Sequence, residues 1–173
     1  MIKKRHIHFI GIGGIGVSGI AHLVLKQGEE VSGSDIKESA ITRKLLDAGA
    51  RVFIGHKPQN IEGADLVVYS SAIQPDNPEM AAAVKMGIPI RKRAEFLSEL
   101  MKDKLVITVT GAHGKTTTSS LAAKLLMGAG LNPTIAVGGI LREDGDNAKL
   151  GGSDYFVAEA DESDGTFLCY QPT

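Results

Sequence analysis

The chain has 173 residues, 43% hydrophobic and 23% charged, an ordinary globular composition with enough apolar material for one or two small cores. Nineteen basic residues against 20 acidic give a formal net charge of -1, which argues against nucleic acid or an acidic membrane surface as partner. The lone Cys169 cannot form an internal disulfide, Met1-Ile2-Lys3-Lys4-Arg5 leads into a short apolar strand instead of a signal-peptide core, and no apolar run approaches the roughly 20 residues a bilayer requires. The expectation is a cytoplasmic protein.

Taken in chain order, short β-branched runs alternate with helix-period segments, the pattern of βαβ units and a parallel sheet. Strands are expected near 7–10, 30–34, 51–54, 66–70 and 88–90, and helices near 15–27, 40–48 and 78–86. Asn77 can cap the last of these, Pro78 suits its first position, and Gly87 supplies its stop. Arg91-Lys92-Arg93 with 94–102 reads as a helical connector, and a domain boundary at 97/98 divides a Rossmann-like unit, 1–97, from a second α/β unit, 98–173.

The second unit opens on Leu105-Val106-Ile107-Thr108-Val109, apolar without strict alternation, as a strand buried on both faces requires. A helix over 117–129 is expected to carry Leu121, Leu125 and Leu126 on one side. Further strands are expected at 134–137 and 155–158, with a loop or hairpin over 142–153. Three strands and one helix are too few to close a doubly wound sheet, so the sequence reads as truncated within a P-loop ATP-binding domain.

Between the strand at 105–109 and the following helix stands Thr110-Gly111-Ala112-His113-Gly114-Lys115-Thr116-Thr117. Glycines let successive N–H groups converge on one anion, and the helix N-terminus adds its positive end. Lys115 can reach the β- and γ-phosphates of ATP, and the Thr116 hydroxyl can hold Mg²⁺. Val109 occupies the first-glycine place of G-x-x-x-x-G-K-[ST], which disfavours a generic nucleotide kinase or GTPase. His113 can contact ligand or fill the loop. The strand at 155–158 delivers Glu159, Asp161, Glu162 and Asp164; Glu159 is the expected metal ligand, while Glu162 and Asp164 better suit a solvated turn.

Near the N-terminus, His6-Ile7-His8-Phe9-Ile10 runs into Gly11-Ile12-Gly13-Gly14-Ile15-Gly16, matching G-x-G-x-x-G between a strand and a helix, with Asp35 placed to bond a ribose hydroxyl. Such a turn recognises a diphosphate through backbone N–H groups and leaves the base open, so a nicotinamide-dependent oxidoreductase stands as an alternative. Ser70 and Ser71 end the fourth strand at the same edge, where their hydroxyls can contact a nucleotide or cap the loop. The five histidines show no metal-ligand spacing, and no zinc site is assigned.

The runs HFIGIGGIGVSGIA, VSGSD, GARVFIGH, SSAI with NPE, RAEFLSELM, TGAHGKTTT and VAEADESD resemble the Mur ligase family from end to end. They are most similar to the branch that adds the first amino acid of the peptidoglycan stem peptide. The D-glutamate-adding branch usually has Asn at His113, and the tripeptide-recycling branch departs from the G-x-G-G-x-G turn. Ala112 departs from the expected pattern, which generally has Thr or Ser there. The resemblance implies UDP-N-acetylmuramate and L-alanine as small-molecule substrates, with Gly11, Gly13, Gly14 and Gly16 around the diphosphate. It also implies ATP at 111–117, Lys115 on its phosphates, Thr116 and Glu159 on Mg²⁺, and an acyl-phosphate route to the amide. By the same resemblance these 173 residues alone would bind UDP-sugar without turnover.

Overall fold

The computed structural model describes residues 4–139, 147–160 and 166–173. It divides into two compact units, Met1–Arg93 and Ala94–Thr173. Glu162 and Asp164 lie outside the described residues, as do residues 142–146 of the expected 142–153 loop.

The first unit is a five-stranded parallel sheet in the order β3-β2-β1-β4-β5, formed by β1 (His6–Ile10), β2 (Glu30–Asp35), β3 (Arg51–Ile54), β4 (Leu66–Tyr69) and β5 (Ile90–Lys92). The strand order reverses at β1/β4, and in open α/β sheets ligands bind beyond the carboxyl ends of the strands at such a point. The helices are α1 (Ile15–Lys26), α2 (Ala40–Asp47) and α3 (Pro78–Met86). Ser39 caps α2 in a reciprocal capping box with Thr42, and the Asn77 side chain caps α3 through the N–H groups of Glu79 and Met80. Gly87, at φ 68°, ends α3 in the left-handed region that glycine tolerates.

Expectation and structure differ at β5. Its pairing starts at Ile90 opposite Val67 and continues through Arg91 and Lys92, which the sequence placed in a helical connector. Ile88 instead donates its N–H to the Ala83 carbonyl and packs on Ile10, Ile61, Val67 and Ala83, sealing the end of α3.

The second unit holds β6 (Leu105–Val109), β7 (Thr134–Ala136), β8 (Ala148–Lys149) and β9 (Tyr155–Glu159) in the order β6-β9-β7-β8, parallel except for β8. Contrary to the expected burial on both faces, β6 ends the strand order and exposes one face, with Leu105 43% and Ile107 37% exposed while Val106 is buried. Helix α4 (Arg93–Met101) runs into this unit, where the Ser98 hydroxyl donates to the Cys169 carbonyl at 2.6 Å. Helix α5 (Lys115–Gly128) starts two residues earlier than expected. Its inward face is Ser119, Ala123, Leu126 and Met127, packed with Ile135, Val137 and Val157. Leu121 and Leu125 therefore do not share a face with Leu126. They are 57% and 67% exposed, because positions four apart stack with each other and here fall on the outer stripe. Among the described residues no helix is long and apolar enough to cross a membrane.

One face of the first sheet is polar at its centre. His6 and His8 alternate onto it from β1 and share the Ser32 hydroxyl, at 2.7 and 2.8 Å. Beyond them the carboxylate of Glu79, fully buried, accepts from the Ser34 hydroxyl and the Asn60 amide, each at 2.5 Å. Burial alone raises the Glu79 pKa. His8, Ser34 and Asn60 outweigh it and hold the carboxyl below its ordinary value. His8 Nε2 stands 3.4 Å from Glu79 Oε2. With the folded value depressed, this group's stabilisation is complete above the unfolded carboxyl range and is lost as pH falls through the folded value. Urea midpoints are therefore expected to drop between about pH 5 and pH 3 more steeply in the wild type than in Glu79→Gln. Parallel curves would show that Glu79 is not the acid-labile group.

Candidate functional sites

Each unit presents one glycine-bearing strand-to-helix turn at the carboxyl ends of its parallel strands. In the first, β1 ends at Ile10 and the chain reverses through Gly11, whose φ of 79° suits glycine. The Ser34 carbonyl accepts the N–H groups of Gly11 and Ile12, at 2.8 and 3.0 Å. Asp35 Oδ2 accepts that of Gly13, at 2.8 Å. Asp35, expected to meet a ribose, braces the turn, and its Oδ1 receives the Lys37 N–H at 3.5 Å. A methyl group on Gly13 would come within 2.8 Å of Asp35 Oδ2, so a side chain here would have to displace the Asp35 carboxylate that braces the turn. Gly14 is exposed at the mouth, and Gly16 lies in the first turn of α1 against the Arg93 side chain. Ser70 backs onto Gly11, and its hydroxyl accepts the Ala72 N–H at 3.3 Å; Ser71 is exposed beside it.

In the second unit β6 ends at Val109, and the loop passes Gly111 (φ 143°) and Gly114 (φ 77°) into α5. Lys115 Nζ donates to the Gly111 carbonyl at 2.8 Å, which folds the lysine over its own loop. The Thr116 hydroxyl reaches Glu159 Oε2 and Oε1 at 3.0 and 3.2 Å. Glu159 is the last residue of β9 rather than the first beyond it, paired in register with Val109. Ala112, His113, Gly114 and Thr117 are exposed around the loop, so His113 does not fill it.

Two residues of this site were not singled out in the sequence. Gly138 donates its N–H to Glu159 Oε2 at 2.7 Å, and a methyl group on Gly139 would approach Thr116 Cγ2 to 2.8 Å. The available signal was a glycine pair directly after the apolar run 134–137, the same strand-then-glycine pattern as the other two turns. A hydroxyl and a carboxylate 3.0 Å apart are hard oxygen donors of the kind that hold Mg²⁺ alongside phosphate and water, so these residues fit that ion. Among the described residues no group of three or more His, Cys, Asp or Glu forms a metal cage.

A family model described as the Mur ligase family, catalytic domain, matches residues 6–105. The chain belongs to the Mur ligase family. A UDP-N-acetylmuramate–L-alanine ligase of Syntrophobacter fumaroxidans is 58% identical over 175 residues, covering 100% of this chain and 37% of the relative. The enzyme of that name from Sorangium cellulosum is 54% identical over 171 residues, 99% of this chain and 36% of the relative. This Mur ligase chain thus spans little more than a third of the length of those curated relatives. Among solved structures, the UDP-N-acetylmuramate-alanine ligase of Thermotoga maritima has a TM-score of 0.89 at 35% identity, covering 96% of this chain and 39% of that one. The UDP-N-acetylmuramate:L-alanyl-gamma-D-glutamyl-meso-diaminopimelate ligase of Neisseria meningitides has a TM-score of 0.88 at 31% identity, covering 98% and 59%.

Proposed function

We propose that this chain serves an ATP-dependent ligase that joins L-alanine to UDP-N-acetylmuramate in peptidoglycan synthesis, inside the cytoplasm. The observation that carries this reading is the Thr116–Glu159 pair next to Lys115, oxygen donors and an ammonium suited to metal and phosphate, in a unit that follows a separate glycine-rich turn. The names of the relatives supply the substrates. The first unit, with Gly11, Gly13, Gly14, Gly16, Asp35, Ser70 and Ser71, binds the UDP-sugar. In the second, 111–117 binds ATP, with Lys115 on its phosphates and Thr116 and Glu159 towards Mg²⁺. When bound, the metal neutralises charge on the β- and γ-phosphates.

In this reading the backbone N–H groups of 111–117 and the Lys115 ammonium orient the γ-phosphoryl group. The lactyl carboxylate attacks γ-phosphorus, ADP leaves, and the amine of L-alanine then displaces phosphate from the acyl phosphate to form the amide. Phosphoryl transfer of this kind rests on positioning and charge neutralisation rather than a protein nucleophile. Glu159→Gln is expected to raise the Mg²⁺ concentration that half-saturates binding of a non-hydrolysable ATP analogue by roughly tenfold. An unchanged Mg²⁺ dependence would remove Glu159 from the metal site.

The decisive assay is phosphate release from ATP with UDP-N-acetylmuramate, using a chain extended to its relatives' full length. Turnover with L-alanine supports the proposal. Turnover with L-alanyl-γ-D-glutamyl-meso-diaminopimelate alone would favour the second reading, peptide recycling, which the likeness to the Neisseria enzyme supports. The 173 residues by themselves are expected to bind UDP-sugar and release no phosphate. Tight NADH binding with none of the UDP-sugar would instead revive the oxidoreductase alternative.

A further inference from the structure

We infer that Glu79 is a positioning residue for the UDP-sugar site of the first unit, an inference that rests on the function proposed above. Glu79 is the second residue of α3 and wholly buried. Its carboxylate gathers the segments that frame the turn. Oε2 accepts the Ser34 hydroxyl at 2.5 Å, and the Ser34 carbonyl in turn accepts the N–H groups of Gly11 and Ile12. Oε1 accepts the Asn60 amide at 2.5 Å and the Lys57 N–H at 3.2 Å, which fixes the loop after β3. That loop closes back on the same strand end. The Gly55 N–H donates to the Asp35 carbonyl at 2.7 Å, and Asp35 Oδ2 holds Gly13.

His56 completes the arrangement, with Nδ1 2.9 Å from Ser34 Oγ and 3.5 Å from Glu79 Oε2. Because the Ser34 hydroxyl donates to Glu79, its oxygen is left to accept from His56 Nδ1–H, which sets the imidazole tautomer. The remainder of α3 packs on apolar neighbours through Ala83 and Met80, so Glu79 is where the helix meets the polar groups of β2 and the loop after β3. Buried carboxylates are weak sources of net stability and strong sources of fixed geometry. Here every hydrogen bond to the carboxylate comes from the end of β2 or the loop after β3, at the sheet edge where a nucleotide binds.

The test is calorimetric titration of the 173-residue chain with UDP-N-acetylmuramate, read as Kd and stoichiometry separately. Glu79→Gln places an amide where only donors converge. It is expected to weaken binding about tenfold with stoichiometry still near one, whereas Asn60→Ala and Ser34→Ala, which each remove one arm, are expected to weaken it about threefold. A purely structural role predicts the opposite split, a reduced stoichiometry from fewer folded molecules with unchanged Kd, and that outcome overturns the inference. Should Glu79→Gln not fold, unchanged Kd values in both Asn60→Ala and Ser34→Ala overturn it equally. Wild-type chain that does not bind UDP-N-acetylmuramate overturns the proposed function and this inference with it; wild-type binding with unaffected variants overturns the inference alone.

Discussion

Lys115→Ala is expected to weaken binding of a non-hydrolysable ATP analogue to the second unit by about 100-fold, because a charge-assisted hydrogen bond in a partly buried site contributes roughly 1.5–3 kcal/mol. The lysine is the first residue of α5, half-buried, and its ammonium sits on the Gly111 carbonyl at 2.8 Å. That contact shows the reach of the side chain: Nζ already lies over the loop whose N–H groups would surround a phosphate. Exchanging a carbonyl for a phosphate oxygen replaces a neutral acceptor with an anionic one, so the lysine favours the bound state over the free state. Lys115→Met separates charge from packing, since it keeps most of the stem. Equal losses in the two variants, with Tm unchanged, assign the effect to the ammonium. Analogue binding within twofold of wild type in Lys115→Met would refute the phosphate role.

The parts of both sites that lie within one strand-turn-helix segment were legible in the sequence, because there local chemistry and local conformation coincide. Gly11 takes the left-handed conformation its turn needs, Lys115 and Thr116 open a helix after the loop that follows β6, and Glu159 ends the neighbouring strand. The unread parts depend on partners brought together by topology. His6 and His8 share one face of β1, but Ser32, which they both contact, lies on another strand, and Glu79 meets Ser34 across 45 positions of sequence. The orientation of α5 failed for a related reason. Three leucines suggested one apolar face, whereas the small residues Ser119 and Ala123 mark the side that approaches the sheet, and size rather than hydrophobicity decided which stripe faced inward. Strand β5 slipped by two residues because Ile88, apolar and therefore strand-like in isolation, is used to close α3.

Gly151→Ala tests whether the geometry of the second site depends on a contact far from the phosphate loop. A methyl group there would overlap the Asn132 carbonyl oxygen and the Pro133 carbonyl, all backbone atoms. The segment is pinned on both sides. The Gly151 N–H donates to Thr134 Oγ1 at 3.1 Å, and the Ser153 N–H and hydroxyl both reach the Asn132 oxygen, at 3.1 and 2.9 Å. No rotamer change can relieve a clash of backbone with backbone, so the chain must move, at a cost of about 3 kcal/mol or more. The residues displaced enter β7 and β9, the strands that deliver Gly138 and Glu159 to Thr116. ATP-analogue binding is therefore expected to fall together with the thermal stability of the second unit, while UDP-N-acetylmuramate binding by the first stays within twofold. Gly152→Ala is the control. Its methyl group would meet only the Asn132 side-chain amide, at 3.3 Å, which a small rotation can clear. A Tm for Gly151→Ala equal to that of Gly152→Ala would show that the turn yields without cost, and the register of β7 against β9 would then need another origin than this close backbone crossing.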